Sequence, residues 1–278
     1  MKKNKNNEGQ KTAMPAGHGA APCSLPDPNF IVSLSGGKDS TAMLHWMLER
    51  GEKIHSVVFF DTGWEFPAML DHVDMVEKKT GIEVVRIKSD KSFHHWMFNQ
   101  RVIARKGPMK GRVHRIGNGW PSPSRRWCTR QKVDAMKQQH IKHVENAVSC
   151  VGFAYDELHR LKEDRYPLVE YGKTEADCLK KCDSLGYHWG GLYEVFKRVS
   201  CFCCPLQGLD ELRALRKHYP DLWEKMLEWD MAMPSNRGFR DYNTVVDMER
   251  RFTIEDAHAI GQKIDISPKD RQMDMWIA

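Results

Sequence analysis

Three groups of residues in this 278-residue chain are spaced for chemistry. The first is Ser35-Gly36-Gly37-Lys38-Asp39-Ser40, set between the apolar run Phe30 to Leu34 and the amphipathic run Thr41 to Arg50. Adjacent glycines allow a tight turn with successive N–H groups pointing inward, and a helix N-terminus adds its positive dipole end, so the natural guest is a phosphate. Lys38 would supply a point charge and Ser40 a hydroxyl. The G-x-x-x-x-G-K-S/T spacing is not met: no glycine precedes Lys38 at the required distance, and Asp39 separates the lysine from the serine. A kinase-like or GTPase-like phosphate loop is therefore set aside.

The second group is cysteine. Cys201-Phe202-Cys203-Cys204-Pro205 holds a C-x-x-C followed by proline, and Cys178 and Cys182 lie four apart on one face of the helical run Glu175 to Ser184. Thiolates so spaced suit zinc or an iron–sulfur cluster, each needing about four soft ligands. Cys150 in an apolar strand and Cys23 near the N-terminus read as small buried hydrophobes.

The third group is a stretch without acid. Between Asp90 and Asp134 there is no carboxylate, while Lys91, Arg101, Arg105, Lys106, Lys110, Arg112, Arg115, Arg125, Arg126, Arg130 and Lys132 all fall inside. The net charge of +6 understates this concentration. A one-sided segment calls for an anionic partner or for water. Trp96, Phe98, Trp120 and Trp127 are interleaved with Gly107, Gly111, Gly117 and Gly119, which suits a mobile loop that stacks on bases and grips phosphates. The alternative is a solvated loop that completes the nucleotide pocket. His94 and His95 are expected on a helix surface and take no role.

These groups need a scaffold. Apolar strands at Ile54 to Phe60, Glu83 to Ile87 and Ala147 to Phe153, with a helix at Ala68 to Thr80, extend the first strand and helix into βαβ units. Such units imply an open, doubly wound parallel sheet whose ligands sit beyond the carboxyl ends of the strands. Asp61-Thr62-Gly63 and Gly152 close two strands at that edge. Asp61 is a candidate for the site or a simple turn cap. Glu157 and Arg160 are candidates too, or a surface i,i+3 pair. Further on, Asp210 to His218, Pro220 to Trp229 and Ile254 to Ile260, after a cap-like Thr253, read as a small helical cap.

The expected divisions are a disordered tail over 1–28, a nucleotide-binding α/β domain over 29–200, and a cysteine-motif and helical region over 201–278. No apolar stretch nears the roughly 18 residues of a membrane span, and the tail lacks the apolar core of a signal peptide. Eight cysteines without an export signal argue for a cytoplasmic location.

Together, Ser35 to Ser40, Asp61 to Pro67, Arg126-Trp127-Cys128-Thr129 with Lys132, Gly152 with Glu157 and Arg160, Tyr166-Pro167-Leu168, and Cys201 to Pro205 resemble the phosphoadenosine phosphosulfate (PAPS) reductase family of the adenine nucleotide α-hydrolase superfamily. The resemblance implies ATP cleaved at its α-phosphate with pyrophosphate released. It implies that Asp39 and Asp61 hold Mg²⁺ or order the nucleotide, and that Lys38 and Arg160 face phosphates. By its sulfur-transfer members it implies a 4Fe-4S cluster on Cys128, Cys182, Cys201 and Cys204, with Zn²⁺ the competitor. The resulting expectation is adenylation of an acceptor for sulfur transfer to DNA or tRNA, with a cysteine desulfurase as a donor. Arg105, Lys106, Lys110, Arg112, Arg126 and Arg130 would hold the nucleic acid. Two alternatives remain: a sulfonucleotide reductase, disfavoured because no cysteine follows Cys204, and a non-catalytic ATP-binding subunit.

Overall fold

The chain alternates strand and helix from its first described element. β1 (Asn29–Leu34) leads into α1 (Lys38–Glu49), β2 (Ile54–Phe60) into α2 (Pro67–Thr80), and β3 (Val84–Ile87) into the short α3 (Phe93–Phe98). An antiparallel two-stranded ribbon follows, β4 (Arg101–Ile103) with β5 (Val113–Ile116), and then α4 (Trp127–Gln139) and β6 (Ala147–Val151). The remainder is helical: α5 (Pro167–Glu170), α6 (Glu175–Ser184), α7 (Leu192–Val195), α8 (Leu209–His218), α9 (Pro220–Ala232) and α10 (Val245–Ala259). This computed structural model describes residues 27–162, 164–234, 238–240 and 243–261. Nearly all of the expected tail over 1–28, Cys23 included, lies outside the described residues.

β1, β2, β3 and β6 form one parallel sheet in the order β3-β2-β1-β6. Helices cover it, so its middle strands are apolar in continuous runs instead of alternating. Val57, Val58, Phe59 and Phe60 of β2 are all buried. The chain moves outward from β1 to β3 on one side and returns to β6 on the other, which places a crevice between the carboxyl ends of β1 and β6.

Local chemistry sets the helix ends. Pro67 opens α2, and Gly81 closes it in a left-handed conformation at φ 69°. Thr174 with Asp177 makes a capping box at α6, and Thr244 with Asp247 makes another at α10. The last helix therefore starts earlier than the sequence suggested. Thr253 lies inside it, and its hydroxyl donates to the Glu249 carbonyl at 2.9 Å. One hydrophobic core runs from Ile31 and Phe59 in the sheet through Trp120 and Phe202 to Trp223 and Phe252 in the last helices. Among the described residues no helix is long and apolar enough to cross a membrane.

Candidate functional site

The turn Ser35 to Ser40 stands at the crevice between β1 and β6. Gly36 takes φ 79°, and Gly37 caps α1 in an extended conformation. The Ser35 N–H donates to Ser40 Oγ at 3.0 Å, while the Ser40 and Thr41 hydroxyls donate to the Gly37 carbonyl at 3.1 and 3.0 Å. Ser40 thus holds the shape of the turn from within. Gly152, just past β6, explains its own identity: a Cβ there would lie 2.9 Å from both the amide nitrogen and the Cα of Ser40. The close approach of the end of β6 to the first turn of α1 requires a residue without a side chain.

Lys38 is buried, and its ammonium donates to Glu175 Oε2 at 2.7 Å and lies 3.2 Å from the Asp39 carboxylate. Burial acts against its charge, but Asp39 and Glu175 outweigh burial and hold the lysine well above its ordinary range. Burial pushes the Asp39 carboxyl up, against the pull of Lys38, and the nearby charges of Glu175 and Glu157 push the same way. Asp39 Oδ1 is buried and pairs with the Lys38 ammonium at 3.2 Å, and it would also suit a cation brought in with a nucleotide. Two further residues shape the turn. The Lys38 N–H donates to the Tyr193 hydroxyl at 2.8 Å, and the Trp189 indole N–H donates to the Gly36 carbonyl at 2.7 Å. Sequence reasoning missed Glu175, Tyr193 and Trp189, since nothing local links residues more than 130 positions away to the turn.

The other expected nucleotide residues are divided. Asp61 Oδ1 accepts from the Gly63 N–H at 2.8 Å and its other oxygen pairs with Lys88 at 2.9 Å, so it caps its turn. Its charge bears on Glu65, whereas Asp39 faces Lys38, Glu175 and Glu157; the two aspartates keep different company. Glu157 and Arg160 form the i,i+3 ion pair, and the Arg160 guanidinium also lies 4.0 Å from the centre of the Phe153 ring. A phosphate would have to draw Arg160 away from both.

The cysteines fall into two sets. Cys128, at the start of α4, Cys201 and Cys204 lie near enough that charge on one raises the pKa of another, after burial, the larger cause at Cys128 and Cys201. Cys201 Sγ sits 3.5 Å from the Thr62 hydroxyl, which donates to Glu65 at 2.6 Å, and Lys132 is close to both Cys201 and Glu65. Cys182 belongs elsewhere. With Cys178 it is buried where α6 packs on α1, its thiol donating to the Lys38 carbonyl at 3.3 Å, and burial pushes its pKa up to about 12. The expected four-cysteine set is corrected: Cys182 stands apart from Cys128, Cys201 and Cys204, because the α6 face that carries it is turned to the nucleotide turn. Among the described residues no group of three or more His, Cys, Asp or Glu side chains is placed to hold a metal ion. These thiols, as they stand, do not fit a four-ligand centre.

The acid-free segment holds a second correction. Trp120 is fully buried and Phe98 nearly so; Trp127 packs edge-on against Trp64 and Phe93. Trp96 is half-buried, its indole N–H directed to Ser89 at 3.3 Å. These rings build the core and are not a platform for bases. The cations are outside: Arg105, Lys106, Lys110, Arg112, Arg126 and Arg130 are all exposed. Gly117 is fixed as well, because a Cβ there would lie 2.5 Å from the Met97 carbonyl.

Against known proteins, the family model described as the phosphoadenosine phosphosulfate reductase domain matches residues 29–180. Two uncharacterized proteins of Methanocaldococcus jannaschii, MJ0066 and MJ0973, are 28% and 24% identical over 215 residues, each match covering 70% of this chain. The matched regions are 40% and 46% of those relatives, so the chain spans less than half of their length. Among solved structures, a PAPS reductase from Candida auris in its phosphate complex has 15% identity, covering 63% of this chain and 82% of its own, with a TM-score of 0.45. The U34-tRNA thiolase NcsA of Methanococcus maripaludis, with its 4Fe-4S cluster, also has 15% identity, covering 70% and 72% with a TM-score of 0.37.

Proposed function

The chain belongs to the phosphoadenosine phosphosulfate reductase family, and from that premise we propose that it is an ATP pyrophosphatase that adenylates a nucleic-acid acceptor for sulfur transfer. The observation that carries this is the turn at the crevice, with Gly36, Gly37 and the start of α1 on one side and the Lys38 ammonium beneath. In the reaction, an acceptor oxygen forms a bond to the α-phosphorus of ATP while the bond from that phosphorus to the β-phosphate bridging oxygen breaks. The charge that develops on the departing pyrophosphate falls to the Lys38 ammonium and to backbone dipoles already oriented in the turn, which need no reorganisation. Lys38 must first exchange Glu175 for phosphate. A Mg²⁺ ion brought in with the nucleotide would be held in part by the Asp39 carboxylate and would offset phosphate charge. The outer sulfur of a persulfide, the form a cysteine desulfurase delivers, then displaces AMP, which carries the acceptor oxygen away. A thiol reductant cleaves the resulting acceptor–S–S–donor disulfide to leave the sulfur on the acceptor.

The acid-free segment favours a polynucleotide acceptor, since one nucleotide cannot occupy so many cations. The family's name keeps sulfonucleotide reduction as a second reading, and Cys201 beside Thr62 at the sheet edge is the observation that favours it. One assay separates the two. Purified protein with ATP and an acceptor should release pyrophosphate, with AMP following once a sulfur donor is added, and Lys38→Ala should lower that rate by about a hundredfold or more, the scale of a lost electrostatic group at a reacting centre. Release of ADP and orthophosphate, or thiol-dependent sulfite from PAPS with no pyrophosphate from ATP, would overturn the adenylation reading.

A further inference from the structure

β4 and β5 form a ribbon that pairs with no other strand among the described residues. Its register sets Arg101 opposite Ile116, Val102 opposite Arg115 and Ile103 opposite Val113. Side chains alternate between faces along each strand, so Val102 and Arg115 share one face, and both are half-buried. Arg101, Ile103, Val113 and Ile116 share the other and are exposed; the three apolar residues are 46, 40 and 41% exposed. The connecting turn adds exposed Arg105, Lys106, Lys110 and Arg112 around Met109, itself 45% exposed. The outer surface is therefore an aliphatic strip bordered by cations, with no acid in the whole stretch.

That combination selects among anionic partners. Single strands are gripped by aromatic platforms, and every tryptophan of this segment is occupied in the core or half-buried beside it. Duplex RNA hides its base edges in a deep, narrow major groove that side chains cannot read. B-form DNA offers a major groove about 12 Å wide, which admits a two-stranded ribbon, and thymine methyl groups there make apolar contact. Two strands about 4.8 Å apart, with side chains on both edges, match that width. The irregularity in register between Val102 and Ile103 adds local twist, as a ribbon following a groove requires.

We propose that the β4–β5 ribbon is a major-groove element for duplex DNA, with Ile103, Val113 and Ile116 turned to the base edges and Arg105, Lys106, Lys110 and Arg112 on flanking phosphates. This rests on the reading of nucleic acid as the acceptor and narrows it to duplex DNA. Full-length protein is titrated with a labelled DNA duplex, the matching RNA duplex and single strand, and anionic phosphatidylserine vesicles, over a range of salt. Duplex DNA should bind most tightly, and premethylation at guanine N7 should weaken it. Replacing Arg105, Lys106, Lys110 and Arg112 together by Gln should flatten the log–log salt slope by about 3 to 4, at about 0.9 per lost phosphate contact. Ile103→Ser with Ile116→Ser should weaken duplex DNA about tenfold and leave that slope unchanged, which separates groove contact from charge. All these residues are exposed, so the folded state should tolerate the changes, as a thermal melt will show.

Equal or tighter binding of RNA duplex, single strand or vesicles with the same dependence on the ribbon would overturn the proposal. So would duplex DNA binding that neither variant changes. Pyrophosphate release is measured on the same samples. If release persists while the ribbon variants bind DNA normally, the ribbon proposal fails alone; if release is absent while ribbon-dependent DNA binding holds, the adenylation reading fails alone.

Discussion

At the scale of single residues, the decisive contact is the one between Lys38 and Glu175. An ammonium in the turn of a phosphate site is expected to face the guest, yet here its shortest bond, 2.7 Å, goes to a carboxylate whose side chain is 46% exposed. A nucleotide phosphate must compete with that carboxylate for the same donor. Glu175→Gln removes a charge from the competitor and leaves the capping box of Thr174 and Asp177 in place. The affinity for ATP should rise several-fold by calorimetry, because a neutral amide is exchanged for phosphate at lower cost than an ion pair. A fall in affinity would show that Glu175 assists the nucleotide directly. The motif itself was legible in the sequence: the turn's glycines, its lysine and its aspartate are contiguous, and each has a local reason. Glu175, Tyr193 and Trp189 were not, because their contribution exists only after α6 and the segment before α7 have packed onto α1.

At the scale of elements, the sheet was legible for a related reason. Strands buried on both faces announce themselves as unbroken apolar runs, and β1, β2, β3 and β6 were all found, in alternation with helices. The ribbon was hidden: a stretch of arginine, lysine and glycine carries little β pattern, so it was expected to be a mobile loop, whereas Gly117 fixes its base by donating to the Gln100 carbonyl at 2.9 Å. The aromatic residues around it misled for the opposite reason, because composition does not distinguish a ring that stacks on bases from one that packs edge-on against Trp64. The close meeting of β6 and α1 at Gly152 gives a sharp test of the crevice. Gly152→Ala would force a methyl group to within 2.9 Å of the Ser40 backbone, which cannot swing aside as a side chain does. The strand end must back away from the turn, at about 1 to 3 kcal/mol of stability. Urea unfolding should record that loss, and pyrophosphate release should drop with it. An unchanged midpoint and rate would mean that the crevice is looser than this contact implies.

At the scale of the whole molecule, the acid-free segment and the C-terminal helices are bound together by one buried carboxylate. The Trp120 indole N–H donates to Asp230 Oδ1 at 2.7 Å, and Asp230 Oδ2 accepts from the Val246 N–H at 3.2 Å, so a single side chain in α9 joins the stretch ahead of α4 to the start of α10. Around it, Trp120 packs on Trp229 and edge-on against Phe239, and Trp229 reaches Trp64 and Phe202. The helices after residue 200, which the sequence patterning read as a small cap, are consequently joined to the sheet through a shared core. Unfolding in urea, followed by tryptophan fluorescence and by far-ultraviolet circular dichroism, should give one coincident transition. Asp230→Ala leaves the buried Trp120 indole N–H and the half-buried Val246 N–H without their acceptor, and a buried donor so stranded costs about 1 to 3 kcal/mol. Both probes should then shift to lower urea together. If the fluorescence transition moves while the dichroism transition stays, the C-terminal helices melt on their own and the core is two units rather than one.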